Sequence, residues 1–155
     1  MAELKEGAKA PEISLLDDQG KPFKLSGLKG QNVVLYFYPK ADTPGCTKEA
    51  CEFRDRLPTI KKAGTVVVGA SPDTVKDVSK FKQKFALNFP LLADEDHKTA
   101  ETYGVWKEKS MYGKTYMGVE RTTFIIGKDG KIARIFPKVK VDGHAQEVLD
   151  ALTKL

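Results

Sequence analysis

The stretch that decides the fold is Val33 to Thr47, with the sequence VVLYFYPKADTPGCT. Its first part, Val33 to Tyr38, is a continuous apolar run of strand length, as expected for a central strand buried on both faces of a sheet. Pro39 ends the run. Thr43 followed by Pro44 is typical of a helix start, because threonine is a good N-cap and proline suits the first helical position. The stretch therefore predicts a buried strand, a short loop and a helix that begins at Pro44.

Cys46 lies in the first turn of this predicted helix, three residues after the N-cap. The first N–H groups of a helix have no intrahelical acceptor, and the helix dipole adds partial positive charge there. A thiol in this position is biased toward the thiolate, which is the reactive form of cysteine. We therefore expect Cys46 to be a nucleophile.

Cys51 is the second of only two cysteines in the chain and follows Cys46 by five residues. In one continuous helix this spacing places the Cα atoms about 7.5 Å apart along the axis and turned by ~140°, a direct separation of about 8.7 Å. A disulfide closes without backbone movement only when the Cα atoms lie within ~7 Å. The spacing therefore favours a pair that cycles between dithiol and disulfide, with local unwinding of the helix, over a permanent disulfide.

The rest of the chain alternates predicted strands and helices. We expect the cysteine helix to break or kink at Leu57-Pro58, because proline disfavours helix at the preceding residue. The other predicted elements are strands at 13–16, 22–25, 65–70, 91–92, 122–126 and 131–136, and helices from Ser71-Pro72-Asp73 to about 86, at 97–103 and at about 143–154. This order predicts an α/β fold of the thioredoxin type, a mixed sheet flanked by helices, with an amino-terminal β-hairpin extension and an inserted segment between its halves.

Composition limits the classes of function. A chain of 155 residues that is 41% hydrophobic and 30% charged fits one compact domain over residues 1–155. Residues 1–11 carry no apolar run long enough for a signal peptide or a membrane span, so we expect a cytoplasmic protein with no membrane partner. The net charge of +5 comes from basic residues spread along the chain, and we expect no nucleic-acid partner.

The segment Phe37 to Thr47 contains the pattern Pro-x-x-x-Thr-x-x-Cys. This pattern resembles the active-site motif of the peroxiredoxins, a family of thiol peroxidases. The pair of Cys46 and Cys51 resembles the bacterioferritin comigratory protein, or peroxiredoxin Q, subfamily, and Val119 to Phe124 resembles the arginine-bearing strand of the family. With the order of elements, the resemblance covers nearly the whole chain.

The resemblance implies a reaction cycle. Cys46 is the implied peroxidatic nucleophile, which attacks a peroxide oxygen and becomes a sulfenic acid. A sulfenic acid condenses with a nearby thiol to a disulfide, and Cys51 is the only other thiol in the chain. The implied substrates are hydrogen peroxide and organic hydroperoxides. The implied reductant is thioredoxin, or glutaredoxin, and the subfamily suggests a monomer.

The resemblance also implies roles for residues around the sulfur. Thr43 contacts the peroxide or the thiolate through its hydroxyl, and backbone N–H groups at Gly45 and the nucleophile hold the peroxide oxygens. Arg121 supplies a fixed positive charge and hydrogen bonds. Pro39 shields the sulfur from water. Glu49 falls where many family members carry an acid that orients the arginine, and we group it with the substrate-binding residues.

Other functions stay open from the sequence. Two cysteines with the scattered His97 and His144 lack the paired spacing of a tetrahedral zinc site, so we expect neither a metal nor a cofactor. A redox-switched interaction or sensor protein needs to react only once, whereas a peroxidase consumes reductant in every turnover. A thiol–disulfide oxidoreductase of the same fold is disfavoured by the missing Cys-x-x-Cys. A holdase role at high peroxide concentration also stays open.

Overall fold

The computed structural model describes residues 4–155, and residues 1–3 of the charged amino-terminal segment lie outside the described residues. Within the described range the chain alternates short strands with helices, and a 3₁₀ turn at Leu25–Leu28 follows the second strand. The strands are β1 (Ser14–Asp17), β2 (Pro22–Lys24), β3 (Asn32–Phe37), β4 (Thr65–Ser71), β5 (Leu91–Ala93), β6 (Trp106–Met111), β7 (Lys114–Val119), β8 (Thr122–Ile126) and β9 (Ile132–Phe136). The helices are α1 (Pro44–Lys62), α2 (Val75–Lys84), α3 (Lys98–Thr102) and α4 (His144–Leu152).

Seven of these strands form one mixed sheet in the order β2-β1-β5-β4-β3-β8-β9. Strands β3, β4 and β5 are parallel, and the remaining pairs are antiparallel. In β3, Val34 and Tyr36 enter one hydrophobic cluster, while Val33, Leu35 and Phe37 enter the cluster on the opposite face. The prediction of a central strand buried on both faces is therefore confirmed.

Helices cover both faces of the sheet. Phe53 of α1, Phe81 of α2 and Val148 of α4 pack into the first cluster. Ala100 of α3 and Leu25 of the 3₁₀ turn pack into the second. The amino-terminal hairpin β1-β2 joins the same sheet through β5. The predicted mixed sheet flanked by helices, with a hairpin extension, is confirmed.

The predicted break of α1 at Leu57-Pro58 does not occur, because the helix continues through Pro58 to Lys62. Proline has no N–H, so the carbonyl of Arg54 loses the donor that a helix normally supplies four residues later. The side-chain Nδ2 of Asn88 donates to this carbonyl at 3.3 Å. A tertiary hydrogen bond thus replaces the missing helical one and allows α1 to continue.

The structure differs from the sequence prediction at two further places. Helix α2 does not begin at Ser71-Pro72-Asp73, since Ser71 still belongs to β4 and the N-cap is Thr74. The inserted segment contains a hairpin, β6-β7, that the sequence did not indicate. It turns at Tyr112 and Gly113, whose φ angles of 53° and 77° are both positive. This hairpin forms a separate two-stranded sheet.

Strand pairing brings the two halves of the site together. Phe37, the last residue of β3, pairs with Thr122, the first residue of β8. The loop that leads from β3 into α1 therefore lies beside the residue that precedes β8, which is Arg121. Residues far apart in the sequence thus meet at one end of the sheet.

Candidate active site

Cys46 is buried in the first turn of α1, with only 1% of its surface exposed. The first i to i−4 hydrogen bond of the helix runs from the Thr47 N–H to the Thr43 carbonyl at 2.8 Å. The N–H groups of Gly45 and Cys46 come before that bond and have no intrahelical acceptor. The sulfur therefore lies at a helix start with backbone donors beside it, as the sequence predicts.

Arg121 contacts the sulfur directly. Its Nη2 donates to Cys46 Sγ at 3.2 Å, and its Nη1 donates to Glu49 Oε1 at 2.6 Å. The Val139 N–H donates to the Arg121 carbonyl at 2.9 Å and fixes the backbone at this position. Gly45 lies close to the guanidinium: a Cβ atom at this position would be 3.3 Å from Arg121 Nη2. A glycine at position 45 thus allows the guanidinium to approach the helix start closely.

Glu49 lies beside Arg121 in the protein interior and is 1% exposed. Its Oε1 accepts the hydrogen bond from Arg121, while its Oε2 is buried without a hydrogen-bond partner among residues 4–155. Burial raises the pKa of Glu49 to about 7, although the charge and the hydrogen bond of Arg121 act in the opposite direction. The carboxyl group of Glu49 therefore titrates near neutral pH.

Arg121 stays protonated at the site. Burial lowers the pKa of Arg121, but the charges of Glu49 and Cys46 and the hydrogen bonds to them outweigh burial, so the net shift is upward. A hydrogen bond from a charged donor is stronger than one from a neutral donor and favours an anionic acceptor. The guanidinium is thus a permanent cation in contact with both groups.

Thr43 has the extended backbone of an N-cap, with φ −99° and ψ 156°, but its side chain does not cap the helix. Its Oγ1 donates to the Lys40 carbonyl at 2.9 Å instead. The prediction of an N-cap is therefore correct for the backbone and wrong for the side chain. With its hydrogen already donated, the hydroxyl oxygen keeps lone pairs for a further donor. Pro39 lies half-buried in the same loop.

Cys51 is half-buried, and both cysteines are free thiols. One uninterrupted helix contains Cys46 and Cys51, as the spacing calculation assumes. An ideal helix places their Cα atoms about 8.7 Å apart, too far for a disulfide. The structure therefore corresponds to the reduced state, with the cysteine helix intact.

Two residues near the site were missed from the sequence. Tyr36 of β3 is fully buried, stacks on Phe53 at 4.9 Å between ring centroids, and has a hydroxyl without a partner among the described residues. Burial raises the pKa of Tyr36 well above its usual value, and the charges of Glu49 and Cys46 add to the rise. Lys109 of β6 is half-buried, and burial together with the charge of Arg121 lowers its pKa. No local sequence signal points to Lys109, because its hairpin was not predicted.

The described residues offer neither a metal site nor a membrane-spanning helix. Among residues 4–155 no group of three or more His, Cys, Asp or Glu side chains is arranged to hold a metal ion. Over the same range no helix combines the length and the apolar character that crossing a bilayer requires. His144 is buried, and its Nε2 lies 2.7 Å from Thr123 Oγ1.

Sequence comparison finds similarity over most of the chain. The family model described as the AhpC/TSA family matches residues 7–135. The chain is 53% identical over 149 residues to a putative peroxiredoxin bcp of Coxiella burnetii, covering 96% of this chain and 99% of the relative. It is 49% identical over 152 residues to peroxiredoxin Bcp of Escherichia coli K12, covering 98% of this chain and 97% of the relative.

Structure comparison points the same way. Peroxiredoxin Q of Xanthomonas campestris matches with a TM-score of 0.88 and 42% identity, covering 92% of this chain and 90% of the other. A mutant of Xylella fastidiosa PrxQ matches with a TM-score of 0.94 and 36% identity, covering 99% and 98%. A further Xanthomonas structure, with a TM-score of 0.88, 41% identity and coverage of 92% and 90%, concerns the alkyl peroxide reduction activity of a bacterioferritin comigratory protein.

Proposed function

The chain belongs to the AhpC/TSA family, as a thiol peroxidase of the peroxiredoxin Bcp or peroxiredoxin Q group, and from this premise we propose that Cys46 is its peroxidatic nucleophile. The observation that carries the proposal is the 3.2 Å contact from Arg121 Nη2 to the buried sulfur at the start of α1. The thiolate attacks one peroxide oxygen, so that an S–O bond forms as the O–O bond breaks. The departing oxygen takes the electron pair and one proton, and Cys46 becomes a sulfenic acid.

The neighbouring residues hold the peroxide and stabilise the departing oxygen. Arg121 supplies charge-assisted hydrogen bonds, and the N–H groups of Gly45 and Cys46 supply backbone donors; such preorganised donors stabilise developing negative charge. The oxygen of Thr43 accepts from the peroxide, since its own hydrogen is used by Lys40. We assign Pro39 the role of excluding water, and Glu49 the role of holding Arg121 over the sulfur.

Resolution of the sulfenic acid requires movement of α1. The Cys51 thiol condenses with the sulfenic acid of Cys46, an S–S bond forms, and one water molecule leaves. The helix must unwind locally for the two sulfurs to meet. A dithiol protein, thioredoxin or glutaredoxin, then reduces the disulfide and returns both cysteines to thiols.

We extend the proposal to the setting of the reaction. The substrates are hydrogen peroxide and organic hydroperoxides, in line with the alkyl peroxide reduction activity named for the Xanthomonas relative. The protein acts as a monomer of one domain over residues 1–155, in the cytoplasm, in antioxidant defence and redox homeostasis. Peroxide substrates and a thiol reductant follow from the family.

Rapid mixing of the reduced protein with peroxide, followed by mass measurement of the product, tests the proposal. We expect one equivalent of peroxide to oxidise the wild-type protein to a disulfide, and Cys46→Ser to abolish consumption. Cys51→Ser retains the first oxidation, gains the mass of one oxygen atom and then stalls, because no second thiol is present. Steady-state peroxidase activity retained by Cys46→Ser would refute the assignment of the nucleophile.

A further inference from the structure

The buried end of α1 holds two acidic groups beside one cation. Arg121 contacts Cys46 Sγ at 3.2 Å through Nη2 and Glu49 Oε1 at 2.6 Å through Nη1. Cys46 and Glu49 are each 1% exposed, so solvent screens neither of them well. Glu49 Oε2 is buried and has no partner among residues 4–155, which leaves one oxygen of the carboxyl group available for a proton.

Among residues 4–155, Arg121 is the cation that forms an ion pair with Glu49, and no second one does. Helix α1 contributes Glu52, whose charge acts on Glu49 in the same sense as burial. Strand β3 contributes the neutral phenol of Tyr36, and the residue directly after β3 contributes that of Tyr38. The charge of Arg121 also acts on His144 of α4, whose pKa burial lowers, and on Lys109 of β6.

A thiolate at Cys46 and a carboxylate at Glu49 would therefore give two buried negative charges against one positive charge. A buried negative charge without a compensating positive charge is strongly unfavourable, so one of the two acids takes up a proton. Glu49 is that acid, because its Oε2 has no partner among residues 4–155 and can carry the proton. Glu49 therefore carries a proton while Cys46 is a thiolate.

We propose that Glu49 is a proton-exchanging positioning residue, which carries a proton while Cys46 is a thiolate and releases it when the sulfur becomes a sulfenic acid. This inference rests on the proposed peroxidase function and deepens it. Burial raises the pKa of Glu49 to about 7, which is consistent with both protonation states near neutral pH.

The charges and atoms of the step balance. Before attack Cys46 is negative, Arg121 is positive and Glu49 is neutral, so the three groups sum to zero. The S–O bond forms, the O–O bond breaks, and the departing oxygen takes the electron pair and one proton from the site. Glu49 returns one proton to the site. Afterwards the sulfenic acid is neutral, Arg121 is positive and Glu49 is negative, so the sum is again zero.

The pH dependence of peroxide reduction tests the inference. The wild-type kcat/KM is expected to fall by about tenfold from about pH 7 to about pH 9, because a carboxylate at Glu49 then competes with the thiolate for Arg121. Glu49→Gln, which cannot ionise, is expected to lose this fall and vary by less than about twofold over the range, with a kcat/KM near neutral pH lowered by about threefold to tenfold.

Glu52→Gln is the matched control, since Glu52 lies on the same helix and no hydrogen bond links it to Arg121 among the described contacts. It should keep a fall of about tenfold, with its midpoint at a lower pH than in the wild type, because the charge of Glu52 raises the pKa of Glu49. A fall of the same size and position in Glu49→Gln would overturn the inference.

Infrared difference spectroscopy provides a second measurement that does not depend on turnover. In a Cys51→Ser background, one equivalent of hydrogen peroxide should produce the sulfenic acid and remove one carboxylic-acid C=O band. Adding Glu49→Gln should eliminate this band change, and adding Glu52→Gln should leave it. If Cys51→Ser does not react with peroxide, the proposed function fails. If the sulfenic acid forms and no carboxylic-acid band is lost, the inference alone fails.

Discussion

Helices α1 and α2 both begin after a threonine with an extended backbone, yet the two helix starts are used differently. Thr74 accepts a hydrogen bond from the Asp77 N–H at 3.2 Å, so its side chain caps α2. Thr43 donates to the Lys40 carbonyl and leaves the first turn of α1 without a side-chain cap. The first turn of α2 carries an acidic residue, whereas that of α1 carries none. The uncapped start of α1 thus leaves its first backbone N–H groups available to the Cys46 sulfur and to a ligand, whereas the start of α2 is closed by its own threonine side chain.

The largest expected effect comes from removing the cation at the α1 start. Arg121→Gln should lower kcat/KM for peroxide by about 10²–10³-fold, the typical cost of deleting a preorganised donor. The measurement is the initial rate of peroxide consumption by the reduced protein. Arg134→Gln, at a half-exposed arginine of β9, is the control and should stay near the wild-type rate. A loss below about threefold in Arg121→Gln would show that the guanidinium at the start of α1 does not contribute to peroxide reduction.

Hydrogen exchange on the disulfide form should separate the two helices next. Because the sulfurs cannot meet in an intact helix, amides across residues 47–53 should exchange about a hundredfold faster after oxidation, as expected for local unfolding. Residues 75–84 of α2 serve as the internal control and should keep their protection. Undiminished protection over residues 47–53 in the oxidised protein would contradict the unwinding step.

Valine substitution of the two cap threonines tests the comparison directly. Thr74→Val should cost about 1 kcal/mol of stability in urea denaturation, the usual value for a lost cap, and leave peroxidase activity intact. Thr43→Val should lower kcat/KM by about tenfold with a smaller loss of stability, because no cap bond is removed. Thr43→Ser, which keeps the hydroxyl, should recover most of the rate. Equal stability losses in the two valine variants would remove the distinction between the helix starts.

The smallest expected effect concerns the space below the guanidinium. A Cβ at Gly45 would lie 3.3 Å from Arg121 Nη2, so Gly45→Ala should displace the guanidinium by a few tenths of an ångström. We expect kcat/KM to fall by about threefold to tenfold, since small errors in position weaken catalysis. Gly27→Ala, where a Cβ meets no atom within 4 Å, is the control and should leave the rate unaltered. A wild-type rate in Gly45→Ala would show that peroxide reduction tolerates a small displacement of the Arg121 guanidinium from the Cys46 sulfur.

Local sequence patterns predicted the elements that local interactions determine. The apolar run Val33 to Tyr38 marked β3, and Thr43-Pro44 marked the start of α1. The failures come from tertiary contacts. Pro58 stays helical because Asn88 bonds the free carbonyl, and the hairpin β6-β7 turns at Tyr112-Gly113, which lacks the Asn-Gly or Asp-Gly signature of a tight hairpin.

The site was predictable to a similar extent. The motif around Cys46 indicated the nucleophile and the resemblance indicated Arg121, and the structure brings the two into contact. The Thr43 hydroxyl donates to Lys40, three residues earlier, and the choice between this bond and a helix cap depends on the loop conformation, which the sequence pattern does not specify. Glu49 Oε2, which has no partner among residues 4–155, and the position of Lys109 both depend on packing among α1, β3 and the β6-β7 hairpin, so no spacing rule indicates them.

The hydrogen bond from Asn88 to Arg54 also bears on how fast the enzyme recovers. Arg54 Nη1 donates to the Phe85 carbonyl at 2.6 Å, so both the backbone and the side chain of Arg54 are tied to the connection between α2 and β5. Unwinding that begins at Pro44 and includes Cys51 is expected to stop near Arg54, because these two hydrogen bonds hold that residue in place. The turns from Arg54 to Lys62 then remain helical, and the unwound segment can refold onto them. A short segment that refolds onto existing helical turns does so in about a microsecond or less. We therefore expect the encounter with the reductant, and not helix recovery, to pace regeneration.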